Sequence, residues 1–157
     1  MPRRSGIAKS DITKIKREIL RRGNAVAKAV RLWWFYDFCL GVLAAAVRNA
    51  PIRSGKMRKS GYLAINGRTI GARGTLNGAE ATGNDLGRSS QQARATIGFG
   101  GELGAGDVQY AGKVHERTDL RHKVGHAKYL EMAVAAHLNL VQPGLAAVVA
   151  EALNGAS

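Results

Sequence analysis

Ala50-Pro51-Ile52-Arg53-Ser54-Gly55-Lys56-Met57-Arg58-Lys59-Ser60 is the stretch where the chain changes character. Proline disfavours helix in the residue before it, so Pro51 ends whatever helix arrives there. Gly55 can take a positive φ, and the pair Pro51 and Gly55 reads as a structural turn. Upstream, Ser10 and Asp11 are plausible N-caps. From them Ile12, Ile15, Ile19, Val26, Val30, Trp33 and Trp34 recur at helical steps, with Lys14, Lys16, Arg17, Arg21, Arg22 and Lys28 on the other face. Gly23-Asn24 is a possible break or bend. The pattern then runs on to Arg48-Asn49. A continuous helix from Ser10 to Asn49 would span about 60 Å, too long for the core of a small domain alone, so part of it is expected to pack on another subunit.

Downstream the texture is that of strands. Residues 57–73 hold Met57, Tyr62-Leu63-Ala64-Ile65, then Asn66-Gly67, then Arg68-Thr69-Ile70, and Asn-Gly between extended segments signals a hairpin. Residues 71–93 are rich in Gly, Asn, Ser, Thr and Ala without periodicity and read as a long loop. Ala93 to Phe99 alternates as a strand does. Val108 to His115 fits a final strand or a short helix, and Thr118 to Gly125 a polar loop. A last helix is expected from His126 or Ala127, interrupted at Pro143-Gly144 and resuming over Leu145 to Leu153. The expectation is one α+β domain over residues 1–157: a basic N-terminal arm at 1–22 leading into a long N-terminal helix, a small mainly antiparallel sheet with a long Gly-rich loop, and a C-terminal helix packed on the sheet.

Composition narrows the chemistry. The 157 residues are 45% hydrophobic, enough for a core. Their net charge of +13 favours polyanions or acidic protein surfaces as neighbours. Residues 1–31 hold ten basic and two acidic side chains, and residues 53–73 six basic and no acidic. The arm (Arg3, Arg4, Lys9, Lys14, Arg17, Arg21, Arg22), the turn (Arg53, Lys56, Arg58, Lys59) and the loop 71–93 are therefore the candidate contact segments for a partner or DNA. No apolar run follows the basic N-terminus as in a signal peptide. The apolar stretch Leu32 to Val47 contains Asp37 and is shorter than the roughly 20 residues of a membrane span, so it reads as a buried helix. Within it Trp33-Trp34-Phe35-Tyr36 points all round a helix, which requires neighbours on more than one side.

No catalytic constellation stands out. The single cysteine, Cys39, excludes a disulfide framework and sits in an apolar helix as a small hydrophobe. His115, Glu116, His122 and His126 lie close in sequence, but His-Glu-x5-His-x3-His is not the HExxH of zinc peptidases; His122 and His126 are four apart, yet Gly125 and the polar residues around them read as a loop, and no metal site is assigned. The glycine runs lack both a phosphate-loop ending and a dinucleotide-binding frame. No cofactor is expected, and no enzyme.

Three blocks, in order, carry a resemblance. Ala50-Pro51, Ser54-Gly55 and Met57-Arg58-x-Ser60 resemble the signature turn of the tailed-bacteriophage neck proteins, also called tail-completion or minor tail proteins. Tyr110-Ala111-x-x-Val114-His115-Glu116 is similar to the family's second block, and Tyr129-Leu130-x-x-Ala133 to its opening of the last helix. The resemblance covers roughly residues 25–153. Where the family often has Pro-Phe-Leu, this chain has Lys128-Tyr129-Leu130, and the arm 1–22 and loop 71–93 are outside the shared pattern.

The resemblance implies a structural virion protein, assembled in the host cytoplasm, that forms a six- or twelvefold ring at the head–tail joint. Such a ring would join a portal-side adaptor or stopper to a tail terminator or tail tube, extend the DNA channel and touch packaged DNA nonspecifically, with no membrane involved. The resemblance also implies interface or packing roles for Tyr110, Glu116, Tyr129 and Leu130; the same role for Trp33, Trp34, Phe35 and Tyr36 rests on their crowding around the helix, not on the resemblance. The alternative is a basic nucleic-acid-binding protein that uses its N-terminal helix as reader.

Overall fold

The computed structural model of the protein describes residues 9–52, 55–66, 68–72, 94–100 and 110–155. Arg3, Arg4, Arg53 and residues 73–93 of the expected loop lie outside them. The first element is a continuous helical rod in three parts: α1 (Lys9–Trp33), a π-helical turn (Trp34–Cys39) and α2 (Leu40–Asn49). Gly23-Asn24 does not interrupt it. A glycine inside a helix costs only about 1 kcal/mol relative to alanine, too little to break a helix of this length. In the π-turn the Leu40 amide reaches back to the Phe35 carbonyl, five residues away. That wider winding sets residues four apart nearly over one another, and Trp34 stacks on Phe38 with ring centroids 4.6 Å apart.

After Pro51 the chain makes a short helical turn, α3 (Lys56–Lys59), and then enters the sheet. Met57, expected as the start of a strand, instead points from α3 into the core. Gly55, in the left-handed region at φ +73°, launches this turn. Strands β1 (Gly61–Ile65), β2 (Arg68–Ala72) and β3 (Ala95–Phe99) form an antiparallel sheet in the order β2-β1-β3. The hairpin turns between the paired Ile65 and Arg68, with Asn66 at φ +50°, a conformation asparagine tolerates well. Asn66 also holds β3 in register: its amide donates to the Arg94 carbonyl, and its side-chain oxygen accepts from the Arg94 amide, both at 2.9 Å. Gly71 and Ala72, expected in the loop, belong to β2, because pairing with Leu63 and Tyr62 carries the strand that far.

The remaining elements are α4 (Ala111–Glu116), α5 (Tyr129–Leu138) and α6 (Val141–Asn154). The last helical region starts at Tyr129, not at His126 or Ala127, because the backbone just before it is committed elsewhere. The His126 amide donates to the Asn49 carbonyl at 2.9 Å and the Ile52 amide to the Val124 carbonyl at 3.1 Å. The break between α5 and α6 falls at Asn139-Leu140, and Pro143-Gly144 lie inside α6. Proline is tolerated there because amides of the first helical turn have no intrahelical partner to lose. Gly144 has its own reason: a Cβ at that position would come within 2.3 Å of the Trp33 ring, so its absence lets α6 start close against α1.

The rod is the spine of the core. On one side Phe35, Cys39 and Leu43 meet Leu63 and Ile65 of β1. On the other Val42, Ala45, Ala46 and Ala50 meet Met57, Ala111, Tyr129 and Ala133. The C-terminal helices run mainly along the rod, α5 against α2 and α6 against α1. They reach the sheet through Tyr129, whose ring meets Phe99 of β3 edge to face at 4.9 Å. By length and composition Asp11–Asn49 could cross a bilayer, as could the bent pair α5–α6. The apolar residues in the second half of Asp11–Asn49, from Phe35 to Ala46, are nevertheless those that build both faces of this core.

Gly125 locks the loop before α5 onto the end of α2. It adopts φ +86°, and a Cβ there would lie 2.6 Å from the backbone of Ala50 and Pro51. Gly125→Ala is expected to lower unfolding free energy by roughly 2 kcal/mol or more, through strain and collision together. Gly112→Ala, in α4 with open space around the new methyl, should fall within about 1 kcal/mol of wild type on the stabilising side. Urea unfolding of the two variants checks the contrast.

Candidate functional site

The three sequence blocks, more than fifty residues apart at their extremes, fold onto one junction at the C-terminal end of α2. A helix end leaves its last carbonyls without intrahelical partners. Here Arg58 supplies two: Nε donates to the Ala50 carbonyl at 2.9 Å and Nη2 to that of Arg48 at 2.6 Å. Arg58, a candidate partner contact by sequence, thus spends its half-buried guanidinium on the chain's own backbone. Ser60, fully buried, donates its hydroxyl to the Met57 carbonyl at 2.7 Å, and its own carbonyl accepts from the Gly100 amide at 3.1 Å.

Tyr129 stands at the centre. Its buried hydroxyl reaches the Ala111 carbonyl at 3.4 Å and the Met57 sulfur at 4.0 Å, so one side chain touches all three blocks. Burial pushes its pKa up to about 12. His115 meets the Tyr129 ring edge-on at 4.9 Å. Leu130 packs half-buried against the same cluster, and Pro51 is buried beside it. Tyr110, by contrast, is exposed.

Above this core lies a polar clasp. Lys128 adopts φ +55°, which a proline at this position could not, and its ammonium holds Glu116 in a short ion pair and Glu131 at 3.1 Å. Glu116 also accepts from His115 Nδ1 at 2.9 Å. The Lys128 hydrogen bond first, then that of His115, draws the Glu116 carboxyl below its usual range, while Glu116 and then Glu131 raise Lys128. His115, Glu116 and Glu131 are close enough for their ligand atoms to share a cation. The Lys128 ammonium, bonded to both carboxylates, already supplies the positive charge there. Glu131 and Lys128 were not singled out by sequence, although their spacing of three on a helix start is a recognisable signal. His122 lies outside this group; its Nε2, like that of His115, is buried without a hydrogen-bond partner.

The candidate contact residues divide along α1. Lys14 and Arg17 are exposed. Arg21 grips Glu18 through two bonds, Nε at 3.0 Å and Nη2 at 2.9 Å, and Arg22 adds a third at 2.6 Å. The Arg21 and Arg22 bonds hold the Glu18 pKa down at about 2. Lys9 opens the helix, and Lys56 and Lys59 are exposed on α3. Of the aromatic run, Phe35 is buried, while Trp33, Trp34 and Tyr36 are half-buried. Cys39 is buried between rod and sheet, and desolvation raises its thiol to about 11, so it holds no thiolate for nucleophilic chemistry at neutral pH.

Two measurements test these assignments. Arg58→Ala should lower stability by about 1.5–3 kcal/mol, because two charge-assisted bonds to helix carbonyls are lost, whereas Lys59→Ala should stay within about 0.5 kcal/mol; denaturant titration separates them. Glu116 has a lowered folded pKa, so its contribution is present above the usual value of 4.5 and disappears as pH falls through the folded value. The melting-temperature gap between wild type and Glu116→Gln should be open at neutral pH and close well below pH 4.5.

No family model, curated protein or solved structure matches the chain.

Proposed function

We propose that the protein is a structural virion component that forms a ring at the head–tail joint of a tailed bacteriophage. In this reading it sits between portal-side and tail-side rings and extends the conduit for DNA. The observation that carries the reading is the convergence of Ala50–Ser60, Tyr110–Glu116 and Tyr129–Ala133 on one core cluster with Tyr129 at its centre. Blocks that resemble a family in order and spacing would be coincidental if they were scattered over the fold. Here they are the parts that fasten the helix end, α4 and α5 together.

The role such a protein would play is mechanical. A closed ring requires a heterologous contact, in which two different surfaces of the chain meet. The rod, about 60 Å long, projects well beyond the small sheet and offers surface for that contact.

Cations on one side of α1 favour a second reading, nonspecific binding of nucleic acid. Lys14, Arg17, Arg21 and Lys28 fall on one helical face, which a phosphate backbone would suit. Deletion of the gene in its source phage, followed by negative-stain imaging of the lysate, tests the first reading. Separate full heads and free tails are expected; intact, tailed, infectious particles would refute it. Duplex binding that falls steeply with salt, in a chain whose deletion leaves particles intact, would favour the second.

A further inference from the structure

α6 lies antiparallel to α1 and covers only part of it. Its start, at Gly144, is seated on Trp33, and its end, at Ala152 and Gly155, shares an open groove with Arg21 and Ala25. The first twelve residues of α1, about 18 Å of helix, run past that end. On them the apolar stripe continues without cover: Ile12, Ile15, Ile19 and Leu20 are 43%, 53%, 65% and 66% exposed. Four large aliphatic side chains along three turns are a larger apolar surface than scattered exposure accounts for.

A second uncovered surface lies at the other end of the chain. In α5, YLEMAVAAHL, apolar residues lie all round the helix, with Glu131 its one carboxylate, and such a helix belongs in an interior. Only Tyr129 and Ala133 are buried, while Met132, Val134 and Leu138 are exposed, as is Leu140 in the following turn. The outward side of α6 presents Ala146, Ala147, Ala150 and Leu153.

Charge decides which surface meets which. Residues 9–31 carry eight Lys and Arg against Asp11 and Glu18, and Glu18 is already held by Arg21 and Arg22. Two α1 helices laid side by side would set cation against cation. Residues 129–155 contain no Lys or Arg, and their charged residues are Glu131 and Glu151. Glu131 is itself held by Lys128, and Glu151 lines the groove beside Arg21, so this surface is apolar and free of cations, and a basic amphipathic helix can dock on it without repulsion.

We infer that the exposed N-terminal turns of α1 dock on the outward face of the bent α5–α6 pair of a second copy of this chain. The contact is heterologous, so each copy donates one helix and receives another, and assembly proceeds head to tail. The inference deepens the ring reading by naming its interface, but it stands on the two surfaces and not on a place in a virion.

The test mixes two half-broken chains. Ile15→Gln/Ile19→Gln removes the donor stripe, and Leu138→Lys/Leu140→Lys sets cations into the acceptor. All four positions are more than half exposed, so unchanged far-ultraviolet circular dichroism is the fold control. In analytical ultracentrifugation, wild type should sediment as an oligomer and each variant alone as a monomer. An equimolar mixture should give a one-to-one heterodimer and nothing larger, because only one intact donor and one intact acceptor remain.

A monomeric wild type overturns the inference, as does an oligomer that survives either double substitution. Failure of the folded variants to recombine overturns the heterologous contact. A monomer that floats with phosphatidylserine vesicles, and loses this with Ile15→Gln/Ile19→Gln, assigns the stripe to anionic lipid instead. A heterodimer from a chain whose gene deletion leaves phage intact would keep the interface and discard the head–tail role.

Discussion

The fold depends on how the end of α2 is closed. A helix stopped by Pro51 leaves carbonyls at Arg48, Asn49 and Ala50 that must find donors, because an unpaired buried carbonyl costs as much as a lost hydrogen bond. The donors come from far along the chain: Arg58 answers two of them and the His126 amide the third. Once those bonds form, α3 and the loop before α5 are fixed in space. Tyr129 is then placed over Met57 and Ala111, and the second half of the core can close. Gly125 is the complement of this arrangement, since the loop can approach the Ala50–Pro51 peptide only where no Cβ intervenes.

The rod also solves a packing problem. One helix must bury residues on two sides, toward the sheet and toward α5, and both sets alternate within the short span from Phe35 to Ala50. The π-turn lies where the rod passes from its partnership with α6 to its partnership with α5 and the sheet. By widening the helix it shifts the angular phase of α2 relative to α1. It also lets Trp34 and Phe38 stack, so two aromatics occupy the footprint of one.

The large features of the fold were legible in the sequence because each rests on local chemistry. The rod follows from isoleucines and valines at helical spacing up to Pro51, and the hairpin from Asn66-Gly67. What the sequence hid depends on contacts across the fold. Met57 looks like strand material until Gly55 turns the chain and the core takes the side chain into a helical turn. His126 and Ala127 have every local reason to start a helix, yet their backbone is drawn to α2. Pro143 looks like a breaker until the helix is seen to begin two residues before it. Arg58 was legible as a cation but not as a cap, since the carbonyls it answers are eight and ten residues away across the turn. Half of the Lys128 clasp was hidden for the same reason: Glu131 is only three residues on, but Glu116 lies on α4 and is brought to Lys128 by the folded junction.

Cys39 has a consequence of a different kind. The chain carries one thiol, and it is buried on the seam between the rod and β1, among Phe35, Leu43, Leu63 and Ile65. With its pKa at about 11, the sulfur is almost wholly protonated at neutral pH and shielded from solvent. It reacts with an alkylating reagent only when sheet and helix part, so its labelling rate is a clock for that opening. The protein thereby contains its own probe of local breathing, at a seam between the β layer and the helical layer, and no substitution is needed to read it.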